Sequence, residues 1–331
     1  MGQMILDFVM ESGFAQMDIK QVIVIALACF FLYLAIAKGY EPYLLIPIAT
    51  GMLLANMPGV DLMKAAHDGE KGGLFYYLYQ GVKLGIYPPL IFLCIGAGTD
   101  FGPMIANPKT MLLGGAAQFG VFAAFLGAIA LGFTGPEAAS IGIIGGADGP
   151  TAIQTTGALA PHLLGTIALA AYSYMALVPV IQPPIIKALT TKEERAIKME
   201  QTRPVSQKEK IVFPIVVMII VIGLLPTAAP LVGMLMFGNL LKESGIVPKL
   251  VETAQSSLMY IITILLGLTV GATTNADTLL SLQTLGIIAM GLAAFAIGTA
   301  SGVIGGKIMC KLTGGKVNPM IGAAGVSAVP M

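Results

Sequence analysis

Apolar residues form nine runs along the chain, each approaching the thickness of a lipid bilayer. A full membrane span needs about 20 predominantly apolar residues in a helix. Some runs are short or interrupted, as at Tyr87-Pro88-Pro89 and Gln182-Pro183-Pro184. Such breaks are tolerated at membrane depth only where protein or a cavity satisfies the freed backbone groups. The predicted helices lie near 21–37, 42–57, 84–98, 111–133, 163–189, 211–226, 230–241, 255–271 and 284–304.

Two further segments do not fit a simple span. Segment 136–160 contains Gly-Pro breaks and a carboxylate in its middle, and segment 316–331 is similarly rich in glycine and proline. Each is typical of a half-helix, an unwound centre and a second half-helix. Both a broken helix and a re-entrant hairpin satisfy this pattern.

The composition supports the membrane interpretation. Of 331 residues, 56% are hydrophobic and 11% are charged, whereas soluble domains carry about 25% charged residues. A transmembrane β-barrel would show short alternating segments, and long runs such as 211–225 argue against it. The net charge of +1 gives no indication of nucleic-acid binding. The sequence therefore predicts an all-α polytopic membrane protein.

The charged residues predict the orientation. Segment 190–210 contains six Lys or Arg and four Glu, and positive charge marks the cytoplasmic side of a membrane protein. If successive helices cross the membrane in opposite directions from there, segment 305–316, with its three lysines, is also cytoplasmic. Segment 132–137, without Lys or Arg, then lies outside.

The two irregular segments also resemble each other, which indicates an internal repeat. Ile144-Gly145-Gly146-Ala147 aligns with Ile321-Gly322-Ala323-Ala324, and four predicted helices precede each motif. Because the halves enter the membrane from opposite sides, the repeat is inverted. Paired broken segments in inverted repeats mark the ion site of secondary transporters.

The repeat predicts the domain organisation. The first repeat is 1–189 with its broken segment at 136–160, the cytoplasmic linker is 190–210, and the second repeat is 211–331 with its broken segment at 316–331. The second repeat stops inside its motif. We therefore expect a longer protein in which a further helix completes it.

Asp148 is the candidate for the transport site. It is the only acid between Glu137 and Glu193, and an uncompensated charge at the bilayer centre costs at least ~3 kcal/mol. One interpretation is a structural Asp that caps a half-helix. The other is a ligand for a cation, since burial favours the protonated carboxyl and a bound cation favours the carboxylate.

Neighbouring oxygen atoms favour the second interpretation. We expect Pro150 to free the Gly146 carbonyl, because proline clashes with the carbonyl four residues earlier, and Thr151 adds a hydroxyl. A carboxylate with carbonyl and hydroxyl oxygens suits a hard cation. The second motif adds neutral oxygen donors at Asn318 and Ser327, which favours Na⁺ or H⁺. Tyr172 and Tyr174 are candidates for lining the same cavity, or for packing or interfacial anchoring.

Several longer motifs resemble one protein family. The sequence is similar to the β subunits of Na⁺-translocating biotin-dependent decarboxylases, which serve oxaloacetate, methylmalonyl-CoA, glutaconyl-CoA and malonate decarboxylases. The resemblance covers nearly the whole chain. The motifs are KGYEP at 38–42, LYQGVKLGIYPPLIFL at 78–93, TDFGP at 99–103, GGADGPTAI at 145–153, AYSYMALVPVIQPPI at 171–185 and NPMIGAAGVSAVPM at 318–331.

The resemblance implies an enzyme of the translocase class, a carboxybiotin decarboxylase in the bacterial cytoplasmic membrane. It would couple CO₂ release and proton consumption to Na⁺ export. Its implied partners are a biotin carrier domain, a carboxytransferase α subunit, a small γ or δ membrane subunit and further copies of itself. A Na⁺/H⁺ antiporter or Na⁺-coupled carrier would share the repeat, but these motifs favour the decarboxylase.

The resemblance also implies roles for particular residues. Asp148, Asn318, Gly322 and Ser327 would belong to the Na⁺ site. Tyr174 would lie close to the ion and proton path, so that Asp148 and Tyr174 are the residues expected to act in catalysis.

Overall fold

The computed structural model describes residues 12–67, 70–146, 148–199, 203–274, 279 and 281–326, without the side chains of 173–179. The first half contains α1 (Ile19–Lys38), α2 (Pro42–Ala55), α3 (Leu74–Lys83), α4 (Tyr87–Gly98), α5 (Met111–Ala117), α6 (Phe119–Ala130), α7 (Gly135–Gly142), α8 (Gly149–Leu159) and α9 (Leu164–Leu189). The second half contains α10 (Gln207–Leu224), α11 (Met234–Ser244), α12 (Met259–Ala272) and α13 (Leu282–Leu312). Short helical turns at Gly102–Ala106, Lys192–Arg195, Pro248–Thr253 and Pro319–Gly325 connect or follow them.

Within the described residues, four helical segments are long and apolar enough to cross a membrane, and the bent pair α3–α4 forms a fifth candidate span. The four segments are Ile19–Lys38, Pro108–Ala130, Pro248–Ala272 and Leu282–Leu312. The structure is thus that of an all-α, multi-pass membrane protein, as the sequence predicts.

All nine predicted runs lie in helices, with two differences of detail. Run 111–133 is divided at Gln118 into α5 and α6. The break predicted at Tyr87-Pro88-Pro89 lies directly before these residues, because α3 ends at Lys83, α4 begins at Tyr87 and the two helices meet at an angle of 66°. By contrast, α9 continues through Gln182-Pro183-Pro184. Helix α3 was not among the predicted runs, because its tyrosines, glutamine and lysine interrupt the apolar pattern.

Two helix crossings bring backbones into direct contact. Where α2 crosses α12, a Cβ atom on Gly271 would stand 1.9 Å from the carbonyl oxygen of Ile48. Where α4 crosses α11, a Cβ atom on Gly238 would stand 2.0 Å from the carbonyl oxygen of Leu93. Only glycine permits such approaches. In the predicted repeat, α2 corresponds to α11 and α4 to α12, so the two crossings are counterparts. They support the repeat, which stays a prediction.

When successive helices alternate direction from segment 190–210, segments 98–109 and 242–252 are also predicted to be cytoplasmic, and the predicted cytoplasmic segments contact one another. Lys210 pairs with Asp100 at 3.1 Å, and Lys307 pairs with Glu194 at 3.3 Å. The ammonium of Lys242 donates to the carbonyl oxygen of Thr99 at 2.9 Å. We call the surface formed by 98–109, 190–199, 203–210, 242–252 and 305–316 the cytoplasmic surface. We call the opposite end, where Glu137 pairs with His162 at 2.8 Å, the external end, following the predicted orientation.

Candidate functional site

Segment 136–160 is a helix, a break and a second helix. Helix α7 begins at a capping box formed by Thr134 and Glu137 and continues into a 3₁₀ turn over Ile143–Gly146. The chain then breaks, and α8 begins at Gly149 with Asp148 at its N-cap position. Asp148 has extended backbone angles (φ −111°, ψ 101°). The helix–break–helix pattern expected for this segment is therefore present, with the carboxylate at the break.

Asp148 is a partly buried residue, and its carboxylate has one side-chain hydrogen-bond partner within segment 136–160. The hydroxyl of Thr151 donates a hydrogen bond to the Asp148 Oδ2 atom. The N-terminus of α8 carries partial positive charge, which stabilises an ionised Asp148. An ionised carboxylate offers about four acceptor positions, so Asp148 retains capacity for a cation or water.

Pro150 acts differently from the sequence-based expectation. It occupies the first turn of α8, where a backbone N–H has no intrahelical acceptor and proline is favoured. Pro150 therefore starts a helix rather than disrupting one. The Gly146 carbonyl instead belongs to the last turn before the break, where carbonyl groups lack intrahelical donors.

Tyr172 lies against the break. Its side chain is 1% exposed, and its hydroxyl has no hydrogen-bond partner within the described part of the chain. A Cβ atom on Gly149 would stand 2.5 Å from the Tyr172 ring, so the ring packs on the residue after Asp148. The sequence offered both Tyr172 and Tyr174 as cavity residues, and the family resemblance singled out Tyr174. The structure places Tyr172 at the break, and the side chain of Tyr174 is outside the described atoms.

Gln118 is a site residue that the sequence analysis missed. It lies at the junction of α5 and α6, and its Oε1 atom is 3.6 Å from where a Cβ atom of Gly146 would stand. It therefore adds a neutral oxygen beside the break. The available signal was a lone amide inside an otherwise apolar span, because a polar side chain in a membrane helix is costly and usually functional.

The second motif meets the first at Gly298 of α13. A Cβ atom at Gly298 would stand 3.2 Å from the carbonyl oxygen of Gly145 and 3.5 Å from the Cγ2 atom of Val326. The described end of the second motif therefore reaches the 3₁₀ turn that precedes Asp148. Ser327 follows Val326 directly but lies outside the described residues.

The two other residues predicted from the second motif have different surroundings. Gly322 is packed against α13, where a Cβ atom would stand 1.8 Å from the carbonyl oxygen of Gly302. The Asn318 amide donates to the carbonyl oxygens of Arg195 (3.1 Å) and Ile197 (3.0 Å) and caps Met320. Asn318 is thus held at the cytoplasmic surface, and Pro319–Gly325 separates it from Val326 by about 14 Å of 3₁₀ helix. The role of Asn318 at the Na⁺ site stays a prediction.

Comparison with known proteins identifies the family. The model of the family "Na⁺-transporting oxaloacetate decarboxylase beta subunit" matches residues 20–331. The chain is 57% identical to methylmalonyl-CoA decarboxylase subunit beta of Propionigenium modestum, over 99% of this chain and 88% of that protein.

Relatives from two other decarboxylases are similar over comparable lengths. The glutaconyl-CoA decarboxylase subunit beta of Acidaminococcus fermentans is 55% identical over 98% of this chain and 84% of its own. The oxaloacetate decarboxylase beta chain of Haemophilus ducreyi is 49% identical over 96% of this chain and 86% of its own. The chain belongs to the family of β subunits of Na⁺-transporting decarboxylases, which confirms the resemblance seen in its motifs.

Proposed function

We propose that this subunit decarboxylates carboxybiotin on a separate carrier and couples CO₂ release and proton consumption to Na⁺ export, with Asp148 at the transport site. The observation that carries the proposal is the partly buried Asp148 at the break between α7 and α8. The family is defined by Na⁺ transport, and Asp148 supplies the negative charge that such a site requires.

The surroundings of Asp148 suit a monovalent cation. Thr151 contacts the carboxylate, and Gln118 and the carbonyl groups of Gly145 and Gly146 add neutral oxygens on or beside the 3₁₀ turn that precedes it. Hard cations prefer such oxygen ligands, and selectivity depends on ligand number and charge. Ser327 and Gly322 complete the site by family resemblance, with Ser327 following the point where the two motifs meet.

Coupling requires that one group accept either ion. Burial favours protonated Asp148, while a bound Na⁺ favours its carboxylate, so proton and Na⁺ compete for the same oxygen atoms. We assign Tyr174 to the proton path from the family resemblance. The carboxybiotin supplied by the carrier contributes the carboxyl group that leaves as CO₂.

The cytoplasmic surface is the proposed docking surface for the biotin carrier domain. Ion pairs hold its loops together, with Lys210 bound to Asp100 and Lys307 bound to Glu194. We expect chemical crosslinks from the carrier to reach 100–109, 190–210 or 242–252. Crosslinks confined to external loops such as 60–83 would contradict this orientation.

A β subunit implies a complex of several subunits. We propose that its members are the biotin carrier, a carboxytransferase α subunit, a small γ or δ membrane subunit and further copies of this chain. Avidin affinity isolation of the native complex, followed by mass spectrometry, tests this composition.

The retained material must also show Na⁺-stimulated decarboxylation. A chain that exchanges Na⁺ for H⁺ in vesicles while no biotinylated protein is retained with it would instead be an antiporter. That outcome would reject the proposed decarboxylase activity but would not contradict the proposed cation site at Asp148.

A further inference from the structure

Four buried side-chain oxygens within the described residues have no hydrogen-bond partner. They are Gln154 Oε1, Thr156 Oγ1, Tyr172 OH and Thr274 Oγ1. Buried polar atoms almost always have a partner in native proteins, and exceptions indicate a missing water, ion or functional role. All four lie on α8, on α9 or directly after α12.

The pairing of α8 with α9 places these atoms in order. The two helices are joined by Ala160–Leu163 and contact each other, so they run antiparallel. Because Gly149 faces Tyr172, Thr156 stands near the level of Gly165. Seven residues of helix separate Thr156 from Gly149, which is about 10 Å toward the external end.

At that level α9 meets the end of α12. A Cβ atom on Gly165 would stand 2.8 Å from the Thr273 hydroxyl oxygen. Beside this contact is a small cavity that leaves about 10 Å³ for the centre of a water molecule, which is room for one water or one small cation. Four threonines line it, namely Thr166, Thr273, Thr274 and Thr284. We call it the threonine cavity.

The walls of the threonine cavity favour a cation over an anion. Thr274 is 4% exposed, and its hydroxyl is one of the unpartnered atoms. Asn56, at the end of α2, donates to the carbonyl oxygens of Thr274 (2.7 Å) and Met52 (2.8 Å). The C-termini of α2 and α12 therefore converge beside the cavity, and helix C-termini carry partial negative charge.

From this geometry we propose that Na⁺ leaves Asp148 along these oxygens, past Tyr172 and Thr156, and occupies the threonine cavity before release at the external end. The proposal rests on the function proposed above. It adds an exit route and a second, uncharged cation site. A neutral site beyond the carboxylate holds the ion weakly, and multi-site conduction requires weak binding for release.

Cysteine accessibility tests the route independently of catalysis. Thr156→Cys and Thr274→Cys are made in a complex carrying Cys29→Ser, Cys94→Ala and Cys310→Ser, and are reconstituted into vesicles. Ag⁺, a thiol-reactive cation small enough for the cavity, is added from the external side in chloride-free buffer. Thr269→Cys is the matched control, because Thr269 is equally buried in α12 but its hydroxyl bonds to Leu265 and Leu266.

We expect both path cysteines to react at least about tenfold faster than the control, because a hydrated route reaches them. External Na⁺, compared with choline, should slow the reaction of Thr274→Cys. Labelling no faster than the control, or only from the cytoplasmic side, would overturn the route. Fast labelling that Na⁺ does not change would overturn the second cation site.

Valine substitutions keep the proposal testable if the cysteine variants fail to assemble. Thr274→Val should slow Na⁺ uptake by inverted vesicles about tenfold, the scale of one lost neutral ligand, while Thr269→Val leaves it unchanged. Equal rates of Na⁺ uptake for the two variants would show that the threonine cavity does not hold Na⁺ on its way out. Na⁺-stimulated decarboxylation by the detergent-solubilised complex tests the proposed function separately, because it needs no exit into a sealed compartment.

Discussion

The hydroxyl of Thr151 donates a hydrogen bond to a carboxylate oxygen of Asp148, three residues before it in the chain. The bond spans the first turn of α8, so the position of the carboxylate is fixed by the helix that begins at the break. It engages one oxygen and leaves other lone pairs of the carboxylate for a ligand. The hydrogen bond from Thr151 to Asp148 therefore holds the carboxylate in place and leaves its negative charge available to a cation.

Replacing Asp148 by Asn removes the negative charge and the proton-carrying group while preserving size. We expect Asp148→Asn to abolish both Na⁺ transport and Na⁺-stimulated decarboxylation, because one site serves both. The measurement is decarboxylation against Na⁺ concentration in the purified complex, with Na⁺ uptake by inverted vesicles in parallel.

The matched control for that experiment is Glu137→Gln, which removes a carboxylate at the external end of the same segment. It should retain Na⁺ dependence. A well-folded Asp148→Asn complex with unchanged Na⁺ dependence would show that Asp148 only caps α8.

Acid should weaken Na⁺ binding to the wild-type complex. If protons and Na⁺ compete for Asp148, the Na⁺ concentration for half-maximal activity rises as pH falls. Measuring it at about pH 6 and about pH 8 tests the competition, because these values span the range in which a buried carboxyl can titrate. Equal half-maximal concentrations at the two pH values would argue against a shared site.

Glu137 provides the control for that pH dependence. The Thr134 amide and hydroxyl, then His162, lower the pKa of Glu137 to about 2. A carboxyl with a lowered folded-state pKa contributes its full stability above its unfolded pKa of about 4.3 and loses it as pH falls through the folded value. Glu137 therefore stays ionised in the tested range, and Glu137→Gln should leave the pH profile of Na⁺ affinity unchanged.

These residues also show how far the sequence predicts the structure. Apolar runs predicted the helices, and the Gly-Pro breaks around Asp148 predicted the interrupted segment, because both are local properties of the chain. The contacts of Asn318 could not be predicted, since its amide meets Arg195 and Ile197 across more than a hundred residues. Likewise, the sequence could not show that Tyr172 faces Gly149, because that depends on the rotation of α9 against α8.

Removing the Tyr172 hydroxyl distinguishes a packing role from an ion-binding role. An unpartnered buried hydroxyl costs about 1–3 kcal/mol, so Tyr172→Phe should fold at least as well as wild type. If the hydroxyl serves the ion, the half-maximal Na⁺ concentration should rise about tenfold, the scale of one lost ligand. A variant that is more stable and has wild-type Na⁺ affinity would assign Tyr172 to packing alone.

Backbone contact between the second motif and α13 predicts a steric effect. A Cβ atom on Gly322 would stand 1.8 Å from the carbonyl oxygen of Gly302, whereas Gly157 of α8 has open space around the same position. Gly322→Ala must therefore push the motif away from α13, and overpacking typically costs about 1–3 kcal/mol. Gly157→Ala should be neutral or stabilise α8 by up to about 1 kcal/mol, because alanine favours helix. Thermal midpoints of the two purified variants measure the stability difference.

Na⁺ affinity should fall only in Gly322→Ala, since only that change displaces the segment leading to Val326 and Ser327. Equal thermal midpoints and equal Na⁺ affinities would mean that the second motif does not depend on its contact with α13.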